Sequence, residues 1–280
     1  MQHQEKYPTL GGLPEAGASA PAPADAEGGA VPRLDKRTYL DREQGRCKIT
    51  IRDYGGGLCE VGWSFIGTLA YGKLGRGESE ARVVHEDRAV RRARSTLRHK
   101  ILAAQADHLL TLTYRENVTE YPQACTDLSA FLRQVKSEIP GWVYIAVPER
   151  QQRGAWHWHM AVQGRQDVDL LRGCWRRVVG DGNIDVQKPR ITTSDRRLAL
   201  VKYLGKYLAK GFKDGNRELN GHRFRTSLGI QVPCESMALP TEHRANASQY
   251  IQDQLRARAG SVGFSWIDPQ GLAGWACSWG

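Results

Sequence analysis

Apolar residues return every third or fourth position from about residue 79 to 104, at Val83, Val90, Ala93, Leu97 and Ile101, which predicts an amphipathic helix. Upstream, residues 48–53 and 58–66 read as two strands joined by the turn Gly55-Gly56-Gly57. Downstream, 108–114 reads as a strand from its Leu, Thr and Tyr content. Residues 127–138 form a helical pattern with Leu128, Phe131, Leu132 and Val135 on one face. Pro140-Gly141 marks a turn, 142–147 a strand, 151–155 a loop and 156–163 a further strand. A helix follows over 168–179, stopped by Gly180-Asp181-Gly182-Asn183, and then a short strand over 184–187. Ser194 is placed to cap a helix running to Lys210, with Gly211 as its terminator. Beyond it the pattern weakens to a strand over 223–230 and a helix over 242–258, and the Trp- and Gly-rich end shows no period.

The central order β-α-β-β-α-β-α predicts an α+β fold, an antiparallel sheet of about five strands with flanking helices packed on one side. Four segments follow from the changes in composition. Residues 1–35 are a tail in which 17 positions are Gly, Pro or Ala, too poor in large apolar groups to offset ordering entropy, so disorder is expected there. Residues 36–78 form a hairpin extension, 79–215 the central domain, and 216–280 an accessory C-terminal region.

Charge narrows the class of partner. The chain carries a formal net charge of +10, and the tail, with two basic against five acidic residues, holds −3 of it. The remaining +13 points to a polyanion, nucleic acid before anionic membrane. Arg88, Arg91, Arg92, Arg94, Arg98 and Lys100 crowd one side of the helix over 79–104, against Glu86 and Asp87. A solvated charged face and a phosphate-contacting face are both consistent with that pattern. No apolar run approaches the ~20 residues of a membrane span. The start MQHQEKYPTL lacks the layout of a secretion signal. Six scattered cysteines without a Cys-x-x-Cys pair argue against a zinc ribbon and for a reducing cytoplasm.

Two constellations carry candidate chemistry. In the strand over 156–163, alternation puts His157 and His159 on one face and Trp156, Trp158, Met160 and Val162 on the other. The imidazoles then stand roughly 7 Å apart at Cα on an open face, close enough to share an ion. Short His-x-His motifs are more often plain strand residues. Glu149 changes the balance, because the hairpin centres near Arg153 and sets Glu149 directly across from His157. Two imidazoles and a carboxylate suit Mg²⁺, Mn²⁺ or Zn²⁺, whereas a simple salt bridge from Glu149 to Arg150 or Arg153 is the competing reading.

The second constellation is Tyr203-Leu204-Gly205-Lys206-Tyr207-Leu208-Ala209-Lys210. Tyr203 and Tyr207 share one helical stripe, about 6 Å of rise apart, each followed three residues later by a lysine, Lys206 or Lys210. Leu198, Val201, Leu204 and Leu208 form a separate apolar stripe. Amphipathic tyrosines beside snorkelling lysines are common. A phenol with a pKa near ~10 becomes a useful nucleophile when a cation or a metal-polarised phosphate is near.

The succession Leu110-Thr111-Leu112-Thr113-Tyr114, Glu149 with His157-Trp158-His159, then Tyr203 through Tyr207 resembles the three motifs of HUH endonucleases. Among them it is most similar to the rolling-circle replication initiators of filamentous phages and plasmids, over roughly residues 80–215. The resemblance implies a five-stranded nicking domain in which the histidines and the acid hold Mg²⁺ or Mn²⁺. It implies that a tyrosine cuts one DNA strand, giving a 5′-phosphotyrosine and a free 3′-hydroxyl. The expected partners are single-stranded DNA or an origin hairpin and a host helicase and polymerase, in a bacterial cytoplasm and away from membranes. No Gly-x-x-x-x-Gly-Lys-Ser/Thr occurs in the chain, so strand separation is expected from the host. Relaxases place their tyrosine ahead of the histidines, unlike this order. A two-tyrosine transposase and a non-catalytic DNA-binding module on the same scaffold are the alternatives. Thr111, Thr113 and Tyr114 have no role that follows from the residues.

Overall fold

The computed structural model describes residues 46–66, 82–189, 195–213, 223–239, 246–269, 271 and 273–280. All of them belong to the compact unit Gln44–Gly280, and the unit Met1–Glu43, with the expected tail, lies outside the described residues. The elements run β1 (Arg46–Asp53), β2 (Cys59–Ile66), α1 (Arg82–Ala103), β3 (His108–Tyr114), α2 (Tyr121–Glu138), β4 (Tyr144–Arg150) and β5 (Trp156–Val162). They continue with α3 (Val168–Val179), β6 (Gly182–Gln187), α4 (Arg196–Lys213), β7 (Arg225–Thr226), β8 (Glu235–Leu239), α5 (Ala247–Ala259), β9 (Phe264–Ile267) and β10 (Ala273–Cys277). The result is an α+β fold with two five-stranded antiparallel sheets.

The first sheet has the order β6-β3-β5-β4-β7 and carries both sequence constellations or their supports. One of its faces presents Leu110, Leu112, Trp158, Met160 and Val162 to Leu128, Phe131, Leu171 and Trp175 of α2 and α3. Burying large apolar side chains of this kind contributes about 1.5–3 kcal/mol each. The tryptophans bring their indole N–H groups into this core only with acceptors: Trp158 donates to Ala124 O at 3.2 Å and Trp175 to Thr113 O at 2.9 Å. Gly182 is fixed by that packing, since a Cβ there would stand 2.6 Å from Trp175 Nε1 and 2.8 Å from Thr113 O. The other face presents Leu109, Ile145, Val147 and Ala161 to Leu97 and Ile101 of α1 and Leu200, Leu204 and Leu208 of α4.

Helices therefore cover both faces, not one as expected, because β3, β4 and β5 are apolar on both sides around the histidines. α2 starts six residues before its periodic stretch: Pro122 sits in its first turn, where the missing N–H costs nothing. α3 coincides with its expected span and is capped by Asp167, whose side chain accepts from Leu170 N at 3.0 Å. β4 begins at Tyr144 and not Trp142, whose indole is turned to Gln166 Oε1 at 2.8 Å. α4 passes through Gly211 to Lys213, and Ser194 lies outside the described residues. The strand expected over 223–230 shrinks to β7, which pairs with β4 only at Arg225 and Thr226.

The second sheet, β8-β1-β2-β10-β9, joins the N-terminal hairpin to strands from the far end of the chain. Its core is Ile49, Ile51, Val61, Trp63, Leu239 and Ala276, packed against Ile251 and Leu255 of α5. Tyr54 and Leu58, in the hairpin turn, meet Leu102 and Leu198 and so bind the hairpin to α1 and α4. Arg197 strengthens that joint, held by Asp195 at 2.7 Å and bonded to Gln105 Oε1.

Candidate functional site

The β4–β5 hairpin has the register that places Glu149 opposite His157, and β3 places Thr111 opposite His159. All four side chains point to the face covered by α4. That face is closed and not open: His157 is 7% and His159 5% exposed. The closure follows from Leu200, Leu204 and Leu208, which seat α4 on Ile145, Val147 and Ala161 and bring its tyrosine stripe over the imidazoles.

Tyr207 stacks on His159, with ring centroids 4.4 Å apart and an interplanar angle of 23°. Tyr203 meets the same imidazole edge-on at 5.7 Å. The Tyr207 hydroxyl donates to the Tyr203 hydroxyl at 3.2 Å, so both phenol oxygens stand together over one histidine. Glu149 Oε2 lies 2.8 Å from His159 Nε2, and Glu149 Oε1 accepts from Lys210 Nζ at 2.9 Å. Lys210 also donates to Arg150 O at 3.2 Å. Burial pushes the Glu149 carboxyl up, but the hydrogen bonds from His159 and Lys210 outweigh it and hold the group below its ordinary range.

Both imidazoles have their other nitrogen held. Thr111 Oγ1 is 3.2 Å from His159 Nδ1. The carboxylate of Glu149 can only accept, so Nε2 of His159 carries the proton and the Thr111 hydroxyl donates to Nδ1. Arg153 Nε donates to Gln151 Oε1 at 3.0 Å, and the Gln151 amide reaches His157 Nδ1 at 3.2 Å. His157 Nε2 is buried without a hydrogen-bond partner among the described residues. Burial, reinforced by the neighbouring His159, pushes the His157 pKa down to about 4, so its ring is neutral at neutral pH. A neutral imidazole is the form that ligates a metal.

Two nitrogens and a carboxylate are a suitable donor set for a divalent cation, and the orphaned Nε2 of His157 is a position a ligand would satisfy. Among the described residues no group of three or more His, Cys, Asp or Glu side chains already stands in metal-holding positions. The reason is visible in Glu149, whose two oxygens are taken by His159 and Lys210. Thr111 and Gln151 were not singled out from the sequence. Thr111 is found by extending strand alternation to β3, whereas Gln151 lies in the hairpin turn and carries no periodic signal.

The basic side chains of α1 divide by task. Arg88, Arg91, Arg92 and Arg94 are exposed. Arg94 Nε lies 3.9 Å from where a Cβ on Gly205 would stand, which sets it against α4 between the two tyrosines in sequence. Arg98 is engaged elsewhere: its Nη2 is 2.9 Å from Glu60 Oε2 and its guanidinium lies 4.9 Å from the Trp275 ring centre. Lys100 donates to Ile230 O at 2.9 Å. Lys206 is exposed, and so is apart from the cluster that holds Lys210.

Residues 107–212 match the model of the family described as replication-associated protein ORF2. The matched stretch contains the whole site, from Thr111 to Lys210. Comparison with curated proteins and with solved structures gives no match. No described helix is long and apolar enough to cross a membrane.

Proposed function

We propose that the chain is a site-specific single-strand DNA endonuclease and strand transferase that initiates rolling-circle replication. The observation that carries the reading is the pair of phenol oxygens 3.2 Å apart, stacked over the His159 imidazole beside Glu149 and Lys210. The match of residues 107–212 to a replication-associated family and the basic exposed stripe of α1 support it. In the reaction, the oxygen of Tyr203 or Tyr207 attacks a backbone phosphorus and loses its proton. The bond from phosphorus to the 3′ oxygen breaks, that oxygen takes a proton, and a 5′-phosphotyrosine remains beside a free 3′-hydroxyl.

Glu149, His157 and His159 would hold Mg²⁺ or Mn²⁺, which when bound polarises the phosphate and neutralises charge building on it. Occupancy requires Nε2 of His159 to give up its proton and Glu149 to exchange its lysine. Lys210, released from Glu149, is placed to meet the phosphate. Thr111 and Gln151 orient the two rings. The burial of both imidazoles excludes water that would compete with the phenol. A second phenol one turn from the first allows a new strand to be exchanged while one covalent link is kept.

The test is a denaturing gel after incubation with single-stranded DNA and Mn²⁺. A covalent protein–DNA adduct mapping by peptide mass spectrometry to Tyr203 or Tyr207 is expected. Binding without any adduct would favour a non-catalytic DNA-binding module, and joining of donor to target DNA without a primed 3′ end would favour a transposase.

A further inference from the structure

The second sheet has two unlike faces. One packs on α5, as described above. On the other, strand register carries Thr50, Gly62, Trp275 and Trp266 across four strands in one row. Phe264, two residues from Trp266 on the edge strand β9, projects to the same side and lies 5.9 Å from the Trp275 ring. Gly62 leaves a gap in the row beside Trp275. Phe264 is 51% and Trp266 49% exposed, far more than aromatic rings that serve a core.

The charges around these rings are cationic. Lys48 is exposed on the same face, two positions along β1 from Thr50. Arg98 covers Trp275 with its guanidinium. Arg94 and Arg91 continue the stripe one and two turns along α1, and Arg94 reaches α4 at Gly205. The carboxylate of this face, Glu60, is buried under Arg98 and His99 and offers no repulsion at the surface.

We propose that this face is a stacking platform for single-stranded DNA. Unpaired bases lie against Trp266 and Phe264, and the backbone follows the arginine stripe of α1 toward the tyrosines. Exposed rings on a sheet beside cations suit bases whose faces are free, which a duplex does not offer. The choice of DNA rests on the nicking function proposed above. The stacking itself rests on the rings and the charge.

The experiment uses the full chain carrying Tyr203→Phe and Tyr207→Phe, so that cleavage plays no part. Its probe is a fluorescein-labelled oligothymidylate of about 16 nucleotides, the upper span of one sheet platform. Phe264→Ser and Trp266→Ser are each expected to weaken binding ~10-fold, with Trp266→Phe retaining most of the affinity. Lys48→Glu, at an exposed position that leaves folding untouched, is expected to weaken binding and flatten its salt dependence. Unchanged affinity in all three of Phe264→Ser, Trp266→Ser and Lys48→Glu overturns the proposal. So does tight binding of oligouridylate with weak binding of oligothymidylate, which would make RNA the occupant. A dimer that becomes monomeric on Trp266→Ser with DNA affinity intact also overturns it, in favour of a second copy of this chain. Failure of the nicking reading shows separately, as absence of adduct from the unsubstituted chain.

Discussion

Protonation of Glu60 should remove a defined part of the protein's stability. The carboxyl is 1% exposed and is met from five directions. Arg98 Nη2 and His99 Nε2 lie at 2.9 and 2.7 Å, Tyr54 donates at 3.0 Å, Trp275 Nε1 at 3.3 Å, and Arg52 stands at 3.6 Å. Burial alone would raise its pKa, but the bonds from His99 and Arg98 bring it down from the ordinary 4.5 to about 2. A depressed carboxylate stabilises the fold above its unfolded pKa and loses that contribution as pH falls through the folded one. The window is thus pH 4.5 down to 2, and the contribution lost across it is about 3 kcal/mol. Glu60→Gln should be less stable than the unsubstituted chain by a similar amount at pH 7, because it leaves Arg98 beside a neutral amide in a buried place. Urea unfolding followed by tryptophan fluorescence, repeated across pH, gives the measurement. The difference between the two proteins should shrink steadily from pH 4.5 to 2, which also subtracts every other carboxylate. A difference that stays constant over this window would refute the reasoning, since it would mean that Glu60 is already neutral in the fold or that its partners are satisfied without its charge.

His157→Ala and His159→Ala should each reduce nicking by at least ~100-fold with circular dichroism unchanged, and excess chelator should do the same to the unsubstituted chain; full activity in either case removes the cation from the mechanism. The Tyr203→Phe, Tyr207→Phe double substitution should give no adduct while at least one single substitution still does, and because each ring is kept, a cavity cannot account for the loss. Replacing Arg91, Arg92 and Arg94 by Gln should reduce the slope of log K against log salt on single strands by about 2, read from binding titrations at several salt concentrations. Arg98→Gln should instead lower the urea midpoint, and an unchanged midpoint would mean that its bond to Glu60 contributes nothing.

What could be read from the sequence was what local rules govern. Strand alternation puts His157 and His159 on one face whatever surrounds them, and the symmetry of a short hairpin puts Glu149 opposite His157. Helix period puts Tyr203 and Tyr207 on one stripe. Those rules say which way a side chain points and nothing about what it meets. That α4 would lie across the histidines depends on Leu200, Leu204 and Leu208 finding Ile145 and Val147, more than fifty residues away. The second sheet is a stronger case, because Cys277 pairs with Glu60 and Leu239 with Cys47 across most of the chain. Neither β9 nor β10 has the length or the alternation to declare itself alone, so the end of the chain showed no period although it completes a sheet. Arg94 and Arg98 make the distinction sharpest. They lie one turn apart on α1 with the same charge and the same spacing, and no sequence pattern separates them. A buried carboxylate on β2 claims Arg98, and the absence of a side chain at Gly205 leaves Arg94 room at the surface beside the tyrosine helix. The function of each arginine is set by its long-range neighbour, so a basic helix face identifies the kind of partner, while the pairing of distant strands decides which of its cations can reach that partner.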